Sequence, residues 1–499
     1  MRQNNMLNTG INTAIRIGAS LGVLLVLCMM YADRIQAQTP LAPNSPLKAW
    51  TSGQWTFITD QPIDKEIQSW PTVLDQALVQ WCQKWNIPIA DAKQWPLTIH
   101  WMGDRKLFEQ AGLLDGTPPF DDGFQLADKI FFVEQPSEYY RRHLLLHEAT
   151  HWVMYRAFGG GGSPWFMEGM AETEATHRLS NGILQLAVIP SDPAEVPHWG
   201  RFKRLRSAVD AGEVPSLKQI LRYGNERENR MDRYVWSWAA CVYFRNHPKY
   251  SDAFRQAASD PLDYSLKLSN KLESILKEQW HFVEADWWLF AQDFDFGFDP
   301  SKYLVSTESL LSLAYPANRL EVQTNLNWQT NLNGQNNVNG QNNLNDQSRA
   351  GGVKKGIPVS IEASGDFIVA SPLAQQSAQQ SAQQLAQQSA QQPATQLPNA
   401  QAWHSSANGI TIRYHRHFPL GKLLGCFIPK PSANSPASTQ SQPASTVPTP
   451  AIFPVGKNTL FTPPSDGWLL FKINEPTKDL FDNSGTLEIS VRPVSNQQR

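Results

Sequence analysis

An α+β fold is predicted, with a small amino-terminal sheet packed on a mainly helical body and a β-sandwich domain carried behind it on disordered linkers. Three observations predict it. Strand-like runs gather before residue 134, and helical spacing dominates from Ser137 to about residue 295. Beyond that, strand-like islands alternate with low-complexity tracts. At 499 residues the chain exceeds what one hydrophobic core needs. Most of its 18 Trp lie before residue 330, so the first two thirds can build the larger core.

In chain order, residues 1–37 read as an export signal. Arg2 and Arg16 precede the apolar run Leu21 to Met30, and Ile35 with Ala37 offers a cleavage site before Gln38. The apolar run is shorter than the ~20 residues of a spanning helix, which favours cleavage over an uncleaved membrane anchor. Either outcome places the protein outside the cytoplasm, secreted, periplasmic or at the cell surface. Cys28 is filling within the signal core. Residues 38 to about 48 form a Pro- and Ala-rich tether. Trp55–Thr59, Leu97–Trp101 and Lys129–Val133 are expected strands. From Ser69 to Trp85 the apolar spacing at Val73, Leu74, Ala77, Leu78, Trp81 and Trp85 is helical.

The first globular unit is expected over 49–320 and a disordered Asn/Gln linker over 321–356. A β-sandwich then spans 357–495, its loops interrupted at 374–400 by Ser-Ala-Gln-Gln repeats and at 431–450 by a Ser/Pro/Thr tract. Its islands are Pro358–Val369, Gly409–Tyr414 and Ile452–Val494. Net charge is −2, without the basic excess of a nucleic-acid binder. No Cys-x-x-Cys pair exists. Cys82 and Cys241 lie in apolar helical patterns and read as buried thiols, although an exported chain permits a disulfide.

The chemistry gathers at His147-Glu148-Ala149-Thr150-His151. On a helix, residues four apart share a face, so both imidazoles can reach one metal, with Glu148 placed as a proton acceptor. Sixteen residues separate His151 from Glu168, in Trp165-Phe-Met-Glu-Gly-Met-Ala-Glu172. Glu168 opening a second helix completes a His₂Glu zinc set. Glu172, one turn on, can accept the free N–H of a liganding imidazole. Gly159 to Gly162 let the chain reverse between the two helices. His143 lies two turns before His151, ~12 Å along the axis, too far for His143 and His151 to share one ion.

These motifs resemble the gluzincins, and among them the bacterial "peptidase MA-like" domains. The resemblance implies a zincin-like body with Glu168 as third zinc ligand and a peptidase acting on peptide or protein substrates. The motif residues occupy only 147–172. The gap before Glu168 is shorter than in aminopeptidase N-like enzymes, and their Gly-x-Met-x-Asn motif is missing. Related domains carry a tyrosine at the start of a comparable helix, which makes Tyr234 the candidate oxyanion donor. Tyr234 also fits a core stripe with Trp238 and Cys241.

In the last segment, Glu475, Asp479, Asp482 and Asn483 follow the strand-like run Gly467–Ile473. Such oxygen side chains suit calcium, and Asp-Asn-Ser-Gly is equally good turn chemistry. The stretch resembles the PA-IL-like, calcium-dependent galactose-binding sandwich, whose calcium loop maps onto those four residues. Glu475 stands where Asp is usual. The resemblance implies calcium and a glycan partner. Two functions follow, an exported zinc peptidase with Glu148 as general base, or a non-enzymatic adhesin that keeps a degenerate peptidase fold.

Overall fold

The computed structural model describes residues 45–224, 230–259, 263–307, 319–323, 325–329, 352–370, 403–430 and 450–494. The expected export signal and Cys28, the Asn/Gln tract from residue 330, the Ser-Ala-Gln-Gln repeats and the Ser/Pro/Thr tract lie outside them.

The amino-terminal sheet holds β1 (Lys48–Ser52), β2 (Trp55–Thr59), β3 (Leu97–Met102), β4 (Gly123–Leu126) and β5 (Lys129–Val133) in the order β1-β2-β3-β5-β4. β2, β3 and β5 run parallel, while β1 and β4 close the edges antiparallel. Parallel neighbours need a crossover, and α1 (Lys65–Trp85) supplies the one between β2 and β3. β3 is buried along its whole length, as a central strand covered on both faces must be. Phe57, Ile99 and Phe132 pack on Trp70 of α1 and on Leu145 and Trp152 of α2 (Glu138–Phe158). Lys48 was expected to end a tether, and instead it opens β1.

The hairpin β6 (His177–Ser180) and β7 (Ile183–Leu186) packs on α1, where Gln80 Nε2 donates to the Leu184 carbonyl, and behind α2 stand α3 (Pro164–Ala175), α4 (Arg201–Asp210), α5 (Arg230–Asn246), α6 (Lys267–Ile275) and α7 (Trp280–Asp293). Their shared core is aromatic, with Trp165, Phe202, Trp238, Tyr243, Trp287 and Phe290 all buried. Burying each such side chain contributes roughly 1.5–3 kcal/mol. Gly169 sets one helix separation. A Cβ there would lie 2.3 Å from the Ser237 carbonyl oxygen and 2.6 Å from Cys241 Sγ, so α3 and α5 touch backbone to backbone. Cys82, Cys241 and Cys426 are buried free thiols.

The carboxy-terminal part is antiparallel throughout. Its strands are β8 (Arg319–Gln323), β9 (Gly352–Val353), β10 (Val359–Ser364), β11 (Asp366–Ala370), β12 (Trp403–Ser406), β13 (Asn408–His415), β14 (Phe418–Pro429), β15 (Ala451–Pro454), β16 (Asn458–Phe461), β17 (Gly467–Ile473) and β18 (Thr486–Pro493). One sheet runs β16-β10-β18-β8, the other β13-β14-β17-β9 with β15 paired to β14, and β11 pairs β12. A single core containing Ile361, Leu423, Phe471 and Ile489 joins the two larger sheets.

Two further placements differ from the sequence reading. Residues 319–323 and 325–329 overlap the expected linker, yet β8 pairs with β18, and Asn327, Trp328 and Gln329 are buried. The sheets are also docked on the helical body. Ala285 and Leu289 of α7 pack with Trp328, Leu424, Cys426 and Leu470, and Leu480 is buried in the helical core. Apolar side chains on both partners explain this, because undocking would expose them to water. Among the described residues no helix is long and apolar enough to cross a membrane.

Candidate metal centre

α2 begins where Ser137 Oγ accepts the Tyr140 N–H at 3.2 Å, and it ends at Gly159, whose φ of 76° suits a residue without a Cβ. Between these caps the helix is buried on several sides, so Leu144 to Leu146 face apolar neighbours while His147 and His151 share the remaining face. α3 starts with Pro164 at its first position and brings Glu168 across from them.

Three donor atoms converge. His147 Nε2 lies 3.1 Å from His151 Nε2 and 3.3 Å from Glu168 Oε2, and His151 Nε2 lies 3.5 Å from the same oxygen. Tetrahedral ligands at zinc distances have neighbouring donors about 3.3 Å apart, so this triangle is one face of such a site. Glu168 Oε2 is buried with no hydrogen-bond partner, the state of an oxygen shaped for a cation. Burial works to raise its carboxyl pKa, yet His147 and His151 beside it hold it well below the usual range. The residues fit zinc.

A second group, His143, His147 and Glu172, also brings its donors within 4.8 Å and is fully buried. His143 Nε2 lies 3.4 Å and His147 Nδ1 3.5 Å from the Glu172 carboxylate. That carboxylate already has a cation, because Arg201 at the start of α4 grips it at 2.7 and 3.0 Å. Burial opposes its charge, and Arg201 and then His143 restore it well below the usual pKa. Glu172 therefore suits the role of acceptor for His147 better than that of a ligand. A buried His/His/Glu constellation able to hold a metal ion thus sits on the helical body.

Glu148, next to His147 in sequence, is buried beside β4, where Gly123 approaches it. Tyr234 is half-buried in the first turns of α5, its ring centroid 6.4 Å from that of His147. Trp238 and Cys241 form the buried stripe below it, so Tyr234 lies where that stripe meets the centre.

Three participants were not singled out for these roles in the sequence. His143 was legible only as a flanking histidine, and Arg201 sits 29 residues from Glu172 with no motif around it. Gly123 has no motif around it in the sequence.

The four residues expected to bind calcium occupy one loop. Asn483 Nδ2 donates to Glu475 Oε2 at 2.6 Å, and burial, reinforced by Asp482 and Asp479, pushes the Glu475 carboxyl up to about 9. Leu480, at the loop's centre, is buried in the helical core. These carboxylates are not among the groups whose donors converge within 4.8 Å. Compared with known proteins, the chain matches no family model and no curated sequence.

Proposed function

We propose that the chain is a zinc-dependent peptidase with its metal on His147, His151 and Glu168. The observation that carries this reading is the 3.1, 3.3 and 3.5 Å triangle of donor atoms. A divalent metal held by these three residues would supply Lewis-acid chemistry, polarising a carbonyl and easing the loss of a proton from the water that attacks it. Glu148 takes the proton from the attacking water and delivers it to the leaving amine nitrogen. The Tyr234 hydroxyl donates to the carbonyl oxygen as negative charge builds there. Glu172, fixed by Arg201, lies 3.5 Å from His147 Nδ1, where its charge orients that imidazole. Peptide is favoured over other carbonyl substrates because β4 is an edge strand beside Glu148, and an extended chain can pair with such an edge.

The test is metal content by plasma emission spectrometry, followed by cleavage of a denatured, labelled casein. About one zinc per chain is expected, largely lost in Glu168→Ala. Glu148→Gln is expected to keep the metal and lose about 10³-fold in kcat. A folded parent that takes up no zinc would overturn the reading.

A further inference from the structure

β4 carries a glycine, Gly123, at a position where its backbone meets the side chain of Glu148. A Cβ built on Gly123 would lie 2.4 Å from Glu148 Oε1, 3.0 Å from Cδ and 3.1 Å from Cγ. The first of these is closer than non-bonded atoms can approach, so adding a methyl group forces something to move.

The surroundings decide what moves. Gly123 stands opposite Phe132 in the β4–β5 ladder, and the Val133 N–H donates to the Asp122 carbonyl at 2.9 Å. The preceding turn is held as well. Arg105 Nη1 donates to the Phe120 carbonyl at 2.8 Å, and its guanidinium lies 4.2 Å from the Phe120 ring centroid. On the other side, α2 is anchored in the sheet core through Leu145, Ala149 and Trp152. Strand and helix are both fixed, and the carboxylate end of Glu148 is the flexible part. Gly123 is not among the glycines with positive φ, so alanine carries no backbone strain there. Its conflict is with Glu148.

We infer that Gly123 is a positioning residue, whose missing side chain makes the space against β4 that the Glu148 carboxylate occupies. This rests on the peptidase reading for its kinetic consequence, but not for the contact itself. A methyl at residue 123 pushes the carboxylate aside by an ångström or so while His147, His151 and Glu168 stay in place. Misplacement on that scale costs on the order of 100-fold in rate.

The experiment compares the full chain, Gly123→Ala, Glu148→Ala and the double variant. In Gly123→Ala, kcat on denatured casein is expected to fall about 100-fold with KM within about twofold and with zinc content unchanged. The substitution is expected to lower the melting temperature in the parent and not in Glu148→Ala, where the space is free and loss of glycine flexibility stabilises. Equal melting shifts in both backgrounds, or kcat retained in Gly123→Ala, would overturn the inference. If the parent cleaves nothing, the peptidase reading fails on its own, and the melting comparison still decides whether Gly123 and Glu148 compete for space.

Discussion

At the scale of single residues, the Glu172–Arg201 pair shows how a buried charge is retained. Arg201 is 3% exposed and Glu172 1%, so neither is compensated by bulk water. Removing one strands the other. Arg201→Met is expected to cost about 3–5 kcal/mol in urea unfolding and to weaken metal binding at the proposed zinc site about 10–100-fold in chelator competition. Unchanged zinc affinity would mean that Glu172 orients His147 without help. Asp286 makes a second residue-scale prediction. It accepts from the Thr307 N–H at 2.7 Å and the Tyr250 hydroxyl at 2.8 Å, with His247 Nε2 at 3.6 Å, and burial pushes its carboxyl up to about 7. The native state therefore holds a proton that the unfolded chain releases near pH 4. Its contribution is complete below that pH and is lost as pH rises to about 7. Asp286→Asn should flatten the fall in urea midpoint between about pH 4 and pH 7, and an unchanged slope would assign that fall to other groups.

Between elements, the decisive feature is how near two helices come. Gly169 lets α3 lie against the α5 backbone, and this contact brings Tyr234 to the same centre as Glu168. Helix propensity alone would favour alanine at residue 169 by about 1 kcal/mol. The close approach should win, because the neighbour is a backbone carbonyl that cannot swing away. Gly169→Ala is expected to lower stability by about 1–3 kcal/mol in thermal denaturation. A raised melting temperature would show that the helices can slide apart without loss. Much at this scale was legible in the sequence. β2 and β5 begin and end where their strand-like runs do in the sequence, and α2 starts at its Ser137 cap. β14 was not legible, although it is the central strand of its sheet. Pro419, Gly421, Lys422 and Gly425 interrupt its apolar run, and only pairing with β17 and β15 makes that run a strand.

Across the whole molecule, the helical body and the carboxy-terminal sheets share buried charge. Asp293, at the end of α7, meets Lys472 Nζ at 2.6 Å and the Trp328 indole N–H at 2.9 Å, with Arg416 at 3.4 Å. Burial opposes the charge on both; Lys472 and Arg416 nevertheless hold the Asp293 carboxyl below its usual pKa, whereas burial keeps the Lys472 ammonium below its own in spite of Asp293. Asp293→Ala leaves Lys472 buried without its carboxylate and is expected to cost about 3–5 kcal/mol. Because Leu480 also sits in the helical core, calorimetry of the parent should give one cooperative transition. Two resolved transitions would mean that the two parts fold independently.

The sequence by itself determined the α+β class and the pairing of His147 with His151, because helical and strand periodicities and an i, i+4 spacing are local properties of the chain. It also marked Glu168 and Glu172, four apart on one helix, as residues that could face that pair. Tertiary structure alone decided that Arg201 neutralises Glu172, that Gly123 abuts Glu148, and that the expected calcium loop is packed against the helical body. These are contacts between residues distant in the chain. No local spacing encodes them, and they arise only when burial brings separate elements within van der Waals reach.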